Sequence, residues 1–224
     1  MVGGDLDAAL EQYQAFEEQL RRHAPEVAAS LAAPHPDPAA AVADAFPGLV
    51  LPVDLVAWWS WHDGITGPRG YGPPFGPYVN FLSLARTLAR WRDMLDGARM
   101  AAELPELPAD SFWPATWMPV IGHQGFSLAV DLAPTARREG VIFKEVDVMS
   151  YSAPEIARDL TEVVNWWTIL LRTGATIRQR HPSGGVLWVT DRSLVPVDLR
   201  GNPVAYSDLE GPRDPRFLPL GELW

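Results

Sequence analysis

The chain of 224 residues has no cysteine and sets only 18 basic residues against 28 acidic ones, with Lys144 as its single lysine. The lack of cysteine excludes disulfides, thiolate nucleophiles and every zinc site built on sulfur ligands, and it fits a reducing compartment. A formal charge of −10 repels a phosphate backbone and steers basic partners inward, so nucleic acid is not an expected ligand. Long apolar runs are missing too: no window approaches the roughly 18 apolar residues of a membrane span. The opening segment MVGGDLDAALEQYQAFEEQL lacks the basic start and continuous apolar stretch of a secretory signal, so a cytoplasmic location with no membrane partner is expected.

What is present is ample apolar material, 47% of the chain, punctuated by 22 prolines and 18 glycines. That combination predicts a real core assembled from short regular elements. Leu6, Leu10, Tyr13, Phe16 and Leu20 follow helical spacing. Prolines 34, 36 and 38 then break the chain before a short alanine-rich helix in DPAAAVADAF. LPVDLVAWWSWHDG reads as a helix entered through Pro52 and ended by Gly64, and FLSLARTLARWRDML as an amphipathic helix. Between them, GITGPRGYGPPFGPY has the composition of an irregular loop.

After ELPELPADSFWPAT the period changes from helical to alternating. WMPVIG, FSLAVDL and GVIFKEV read as three strands, with Phe126, Leu128 and Val130 on a buried face and Ser127, Ala129 and Asp131 on the other. The loop APTARREG suits an antiparallel hairpin. Residues 153–174 read as a helix with Pro154 at its start, packed across the sheet, and two or three more strands are expected in GGVLWVTDRSLVPVDLRGNPVAYSDLEG. The predicted class is α+β, an antiparallel sheet flanked by helices.

Several short motifs occur in a fixed order: Leu51-Pro52-Val53-Asp54, His62-Asp63-Gly64, Phe81-Leu82-Ser83-Leu84, Trp117-Met118-Pro119-Val120, Leu128-Ala129-Val130-Asp131-Leu132, Gly140-Val141, and the closing segment from Ala153 to Leu171. This order resembles the SUKH superfamily, the group of the yeast cell-wall assembly regulator and of bacterial immunity proteins. The resemblance covers residues 45–173. It implies a SUKH-like core there, an N-terminal helical extension over 1–44, and C-terminal strands over 174–224 that extend or abut the core.

Catalytic signatures are weak. The five histidines, at 23, 35, 62, 123 and 181, show no i, i+3 or i, i+4 pairing that would present two imidazoles to one metal. Gly125-Phe126-Ser127-Leu128-Ala129 lacks the last glycine of a nucleophile elbow, and no P-loop or dinucleotide fingerprint occurs. Asp131, Glu145 and Asp147 could form a carboxylate pair for glycoside hydrolysis, but an acidic patch for a basic partner is the simpler reading. Neither an enzyme nor a metal or cofactor is expected.

The resemblance implies a binding role: a protein partner, typically a nuclease or deaminase toxin domain with a basic groove. The alternatives are a regulatory or scaffold protein of the cell-wall assembly regulator type and a small-molecule enzyme. Partner-facing candidates are Trp61, Asp63, Tyr71, Phe75 and Tyr78 around the 61–78 loop, together with Asp131, Glu145 and Asp147. Aromatic groups in such a loop either anchor a partner or fold back to cap the core.

Overall fold

Helical periodicity is realised first in α1 (Gly3–His23), whose Ala9, Tyr13, Phe16 and Leu20 are buried on one face. In the computed structural model, residues 3–66, 80–103, 113–122, 126–132, 140–145, 155–180, 186–200 and 218–219 are described. A short turn, α2 (Pro25–Ala28), leads to α3 (Pro38–Ala45), whose Asp37 carboxylate accepts from the Ala40 N–H at 3.0 Å. That bond satisfies one of the amides a helix start leaves open. Pro52 precedes α4 (Val53–Trp61), which buries Leu55, Ala57, Trp58, Trp59 and Trp61.

The sheet follows in chain order. Strand β1 (Asn80–Phe81) pairs antiparallel with β2 (Trp117–Gly122), then β3 (Phe126–Asp131), β4 (Val141–Glu145) and β5 (Glu155–Ala157). Between β1 and β2 runs α5 (Leu84–Ala102), and after β5 comes α6 (Leu160–Arg172). A second antiparallel sheet has the order β7 (Val186–Thr190), β6 (Thr176–Arg180), β8 (Leu218–Pro219). A 3-10 turn spans Val197–Leu199. The fold is α+β with antiparallel sheets, as the alternation of the central segments predicts.

Four local expectations need correcting. The segment at 153–159 is not the first turns of a helix: Glu155–Ala157 joins the sheet as β5, and α6 begins only at Leu160. Asp159 stops the helix running further back, because its carboxylate accepts from the Glu162 N–H at 2.8 Å while Glu162 accepts from the Arg158 N–H at 2.9 Å. This is a variant of the capping box in which Glu162 reaches the N–H of the residue before the cap. Second, α6 packs chiefly along α1 rather than across the sheet.

Third, β3 is buried on both faces, since Ser127, Ala129 and Asp131 are as enclosed as Leu128 and Val130. Helix α5 lies against β2, and the Arg90 guanidinium reaches over Gly122 to donate to the Ser127 hydroxyl at 3.1 Å. A polar alternate face can therefore be interior when a long side chain brings its own donors. Fourth, of the two or three strands expected in residues 184–211, Val186–Thr190 forms one, while Ser193–Arg200 turns through the 3-10 segment instead of forming another. Residues 201–211 lie outside the described residues, and an unexpected strand forms earlier, at Thr176–Arg180.

Several of the short motifs acquire physical reasons here. The Asp63 carboxylate accepts from the Leu84 N–H at 2.6 Å, so the end of α4 caps the start of α5. Gly140 sits where an added Cβ would collide with the backbone of Ala157 and Arg158, so only glycine lets β5 approach β4 there. Arg178 is interior on β6, pairs with Glu26 and lies 5.4 Å over the Trp188 ring. Burial pulls its guanidinium below the ordinary value, and Glu26 opposes the shift. This pair ties the second sheet to α2.

Candidate functional site

A cleft of about 730 Å³ is bordered by the N-terminal halves of α1 and α6, the first turn of α4 and the 3-10 turn. Its volume lies within the range of roughly 300–1,000 Å³ typical of ligand pockets. Helical spacing creates it: Asp5, Ala8, Ala9 and Gln12 share one face of α1, and Glu162, Asn165, Trp166 and Ile169 share one face of α6. Lower down, Phe16 and Trp167 close the helix pair with ring centroids 5.9 Å apart. Where alanines replace such rings, a gap opens, bridged by the Gln12 amide donating to Asn165 Oδ1 at 3.3 Å.

Among the described residues, five carboxylates border the cleft, Asp5, Asp54, Asp159, Glu162 and Asp198, against one lining cation, Arg158. Three of the five have structural work. Buried Asp54 accepts from the Leu160 N–H at 3.0 Å, Asp159 caps α6, and Glu162 accepts from the Arg158 Nε at 3.2 Å. Asp5 and Asp198 are exposed at the rim. Three helix N-termini also converge, each worth roughly half a positive charge, which together with Arg158 still leaves the described lining negative by about two and a half charges. The field favours a cation.

Behind the cleft, the Tyr13 hydroxyl donates to the Asp54 carbonyl at 3.1 Å, joining α1 to α4, while the Asp54 side chain joins α4 to α6. Burial, and then the charges of Asp54 and Asp159, push the Tyr13 phenol well above its ordinary value of 10.0. The unfolded chain ionises this tyrosine near its ordinary value and the folded chain does not, so its share of stability is complete below that pH and declines above it. Tyr13→Phe is accordingly expected to cost about 1 kcal/mol near neutrality through the lost hydrogen bond. The gap should close by about 1 kcal/mol between roughly pH 10 and 11. Urea unfolding of both proteins across that range checks this; a gap that widens with pH contradicts it.

The residues singled out from sequence are distributed differently. Trp61 is interior, 5% exposed, with its indole N–H donating to Glu17 Oε2 at 3.0 Å, because the last turn of α4 faces α1 and β1. Asp131 is 7% exposed at the end of β3. An exposed position for these two is therefore corrected. Asp63 is half-buried and occupied in capping α5. Glu145 ends β4 opposite Phe126. Tyr71, Phe75, Tyr78 and Asp147 lie outside the described residues.

Sequence reasoning misses the cleft as a whole. A local signal for part of it exists in the Asp159-x-x-Glu162 capping box and in the polar edge Asp5, Gln12 beside the apolar stripe of α1. Among the described residues no grouping of histidine, aspartate and glutamate could hold a metal ion, and no described helix is long and apolar enough to cross a membrane. Comparison with protein-family models and with curated proteins gives no match.

Proposed function

We propose that this chain is a non-catalytic protein-binding module of the SUKH kind, acting as an immunity protein that occludes a basic toxin domain. The observation that carries the reading is the acidic cleft: a site built on rigid helices, negative after its helix dipoles and Arg158 are counted, with two rim carboxylates exposed to solvent. An overall charge of −10 adds long-range steering toward a positively charged groove. The motif order from Leu51 to Leu171 supplies the family expectation.

The chemistry of the cleft suits binding better than turnover. Asp54, Asp159 and Glu162 spend their acceptor capacity on backbone amides and on Arg158, which holds them in place but leaves them poorly placed to shuttle protons. Steering and occlusion need only fixed charge and shape.

The test is co-expression with the toxin domain encoded by the adjacent gene. The expected result is survival of the cells and a stoichiometric complex on size exclusion. Absence of both, or a turnover by the isolated chain that Asp54→Asn abolishes, would sink the reading.

A further inference from the structure

We infer that one water molecule is built into the interior beneath α5, held by the Trp91 indole N–H and the Thr87 hydroxyl. The inference does not rest on the binding reading above.

The sequence places both groups on one face of the helix. Leu84, Leu88 and Trp91 form the apolar stripe of α5, and Thr87 falls inside it as the only polar residue among the buried ones described on that helix. Thr87 and Trp91 are both 0% exposed and stand at i and i+4. A helical side chain leans toward the N-terminus of its helix, so the Trp91 ring covers the turn that carries Thr87. Phe46, at the end of α3, packs on the indole with ring centroids 4.3 Å apart.

Trp91 Nε1 and Thr87 Oγ1 are both shut off from solvent, and neither meets a hydrogen-bond partner among the described residues. Their counterparts elsewhere are paired. The buried hydroxyls of Ser30, Ser127, Thr168, Thr176 and Thr190 are each bonded, and the indoles of Trp59, Trp61 and Trp113 donate at 3.3 Å or less. Thr168 is the nearest parallel, because inside α6 it turns its hydroxyl back onto the Val164 carbonyl at 2.8 Å. Thr87 makes no such bond to Ser83, whose carbonyl accepts the Thr87 N–H at 2.9 Å. An orphaned polar atom in the interior is costly, and two of them one turn apart on the same helix face mark a shared guest.

The two groups define that guest. An indole N–H only donates, so the guest must offer an acceptor, whereas a hydroxyl can donate or accept. An apolar guest would leave both groups unpaired. An ion would surrender its hydration for one N–H and one hydroxyl, a poor exchange in the interior. Water accepts from Trp91, shares a hydrogen bond with Thr87 and keeps a proton for the second lone pair of a helix carbonyl, which gives the roughly three bonds usual for a buried water.

The test is a double-mutant cycle on the whole chain, Thr87→Val and Trp91→Phe, read by urea unfolding, beside a crystal structure of the original chain. Valine keeps the shape of threonine and phenylalanine keeps a ring against Phe46, and each removes one of the groups that hold the water. Thr87→Val alone should lower the folding equilibrium constant about five- to tenfold, because the water loses a partner. In the Trp91→Phe background the same substitution should cost nothing or raise stability, since the water has already gone and only an unpaired hydroxyl is removed. The crystal structure should show one water within about 3.2 Å of both Trp91 Nε1 and Thr87 Oγ1.

A Thr87→Val chain more stable than the original would make the hydroxyl a dry, unpaired group and overturn the inference. Equal losses in the two backgrounds, or a crystal structure without a water between these atoms, would overturn it as well. Should Trp91→Phe fail to fold, the sign of the Thr87→Val effect and the crystal structure still decide.

Discussion

Gly64→Ala should lower the stability of the fold by about 2–4 kcal/mol, from a left-handed backbone cost of about 1–2 kcal/mol and a comparable cost for the displaced neighbour. Gly64 has φ +84°, and a Cβ there would stand 2.5 Å from the Ser83 backbone nitrogen and 2.9 Å from its Cα. The backbone cannot yield cheaply. Gly64 O accepts from the Ala32 N–H at 2.9 Å, Ile65 N–H donates to Phe81 O at 3.3 Å, and Asp63 holds the start of α5. One methyl group would thus strain the point where α4, α5 and the sheet edge meet. Gly174 is the control: it has φ +70°, but a Cβ added there would meet nothing within 4 Å, so Gly174→Ala should cost only the conformational part, about 1–2 kcal/mol. Urea unfolding of the two variants separates the contributions; equal losses would contradict the account of Gly64.

Trp61→Ala should destabilise by about 4 kcal/mol, within the usual range for deleting a buried tryptophan. The ring lies 5.4 Å from Trp58, 5.7 Å from Tyr13 and 5.9 Å from Phe81, stacked on the last at an interplanar angle of 12°. Its N–H holds Glu17, which also sits 3.4 Å from His62 Nε2, while His62 Nδ1 meets the Ala32 carbonyl at 2.5 Å. Removing the indole opens a cavity and takes away one of Glu17's donors. The expected pattern is a large fall in melting temperature, with unchanged affinity for a partner at temperatures where the variant remains folded. Lost affinity without lost stability would instead make Trp61 a surface anchor.

The contrast between these two positions shows what a sequence can convey. Gly64 announces itself locally, since a glycine after a helix of period 3.6 marks a left-handed stop. Elements with strong local period are legible: α1, α3, α4 and the three central strands fall within a few residues of where their patterns place them, and α5 forms as expected but runs seven residues past Leu95 to Ala102. Segment 153–159 misleads because Ile156 fits the apolar stripe of α6, and periodicity cannot register that the capping box at Asp159 ends the helix and frees Glu155–Ala157 to pair with β4.

Burial is the weaker inference. Trp61 stands at a helix end beside a proline-rich loop, where exposure is the ordinary outcome, but α1 returns from 44 residues earlier to cover it. Asp131 falls on the polar phase of β3, and α5 with Arg90 covers that phase. The cleft is hidden for the same reason in stronger form: residues 5–12 meet residues 158–169, and no local pattern records a contact across that separation. Asp54 illustrates the point best. As part of a Leu-Pro-x-Asp motif it reads as a helix-start residue, whereas the fold uses its carboxylate to hold the first amide of a different helix, α6.

Under the proposed function the chain acts by presenting a fixed negative cleft to a positively charged protein. Stopped-flow measurement of complex formation with the proposed toxin-domain partner, comparing the chain with its Asp5→Lys, Asp198→Lys double variant, tests it most directly. The association rate should fall at least about tenfold in the variant, and the difference should shrink as salt is raised. A rate that ignores both the charge reversal and the ionic strength would mean that contact is made elsewhere on the molecule.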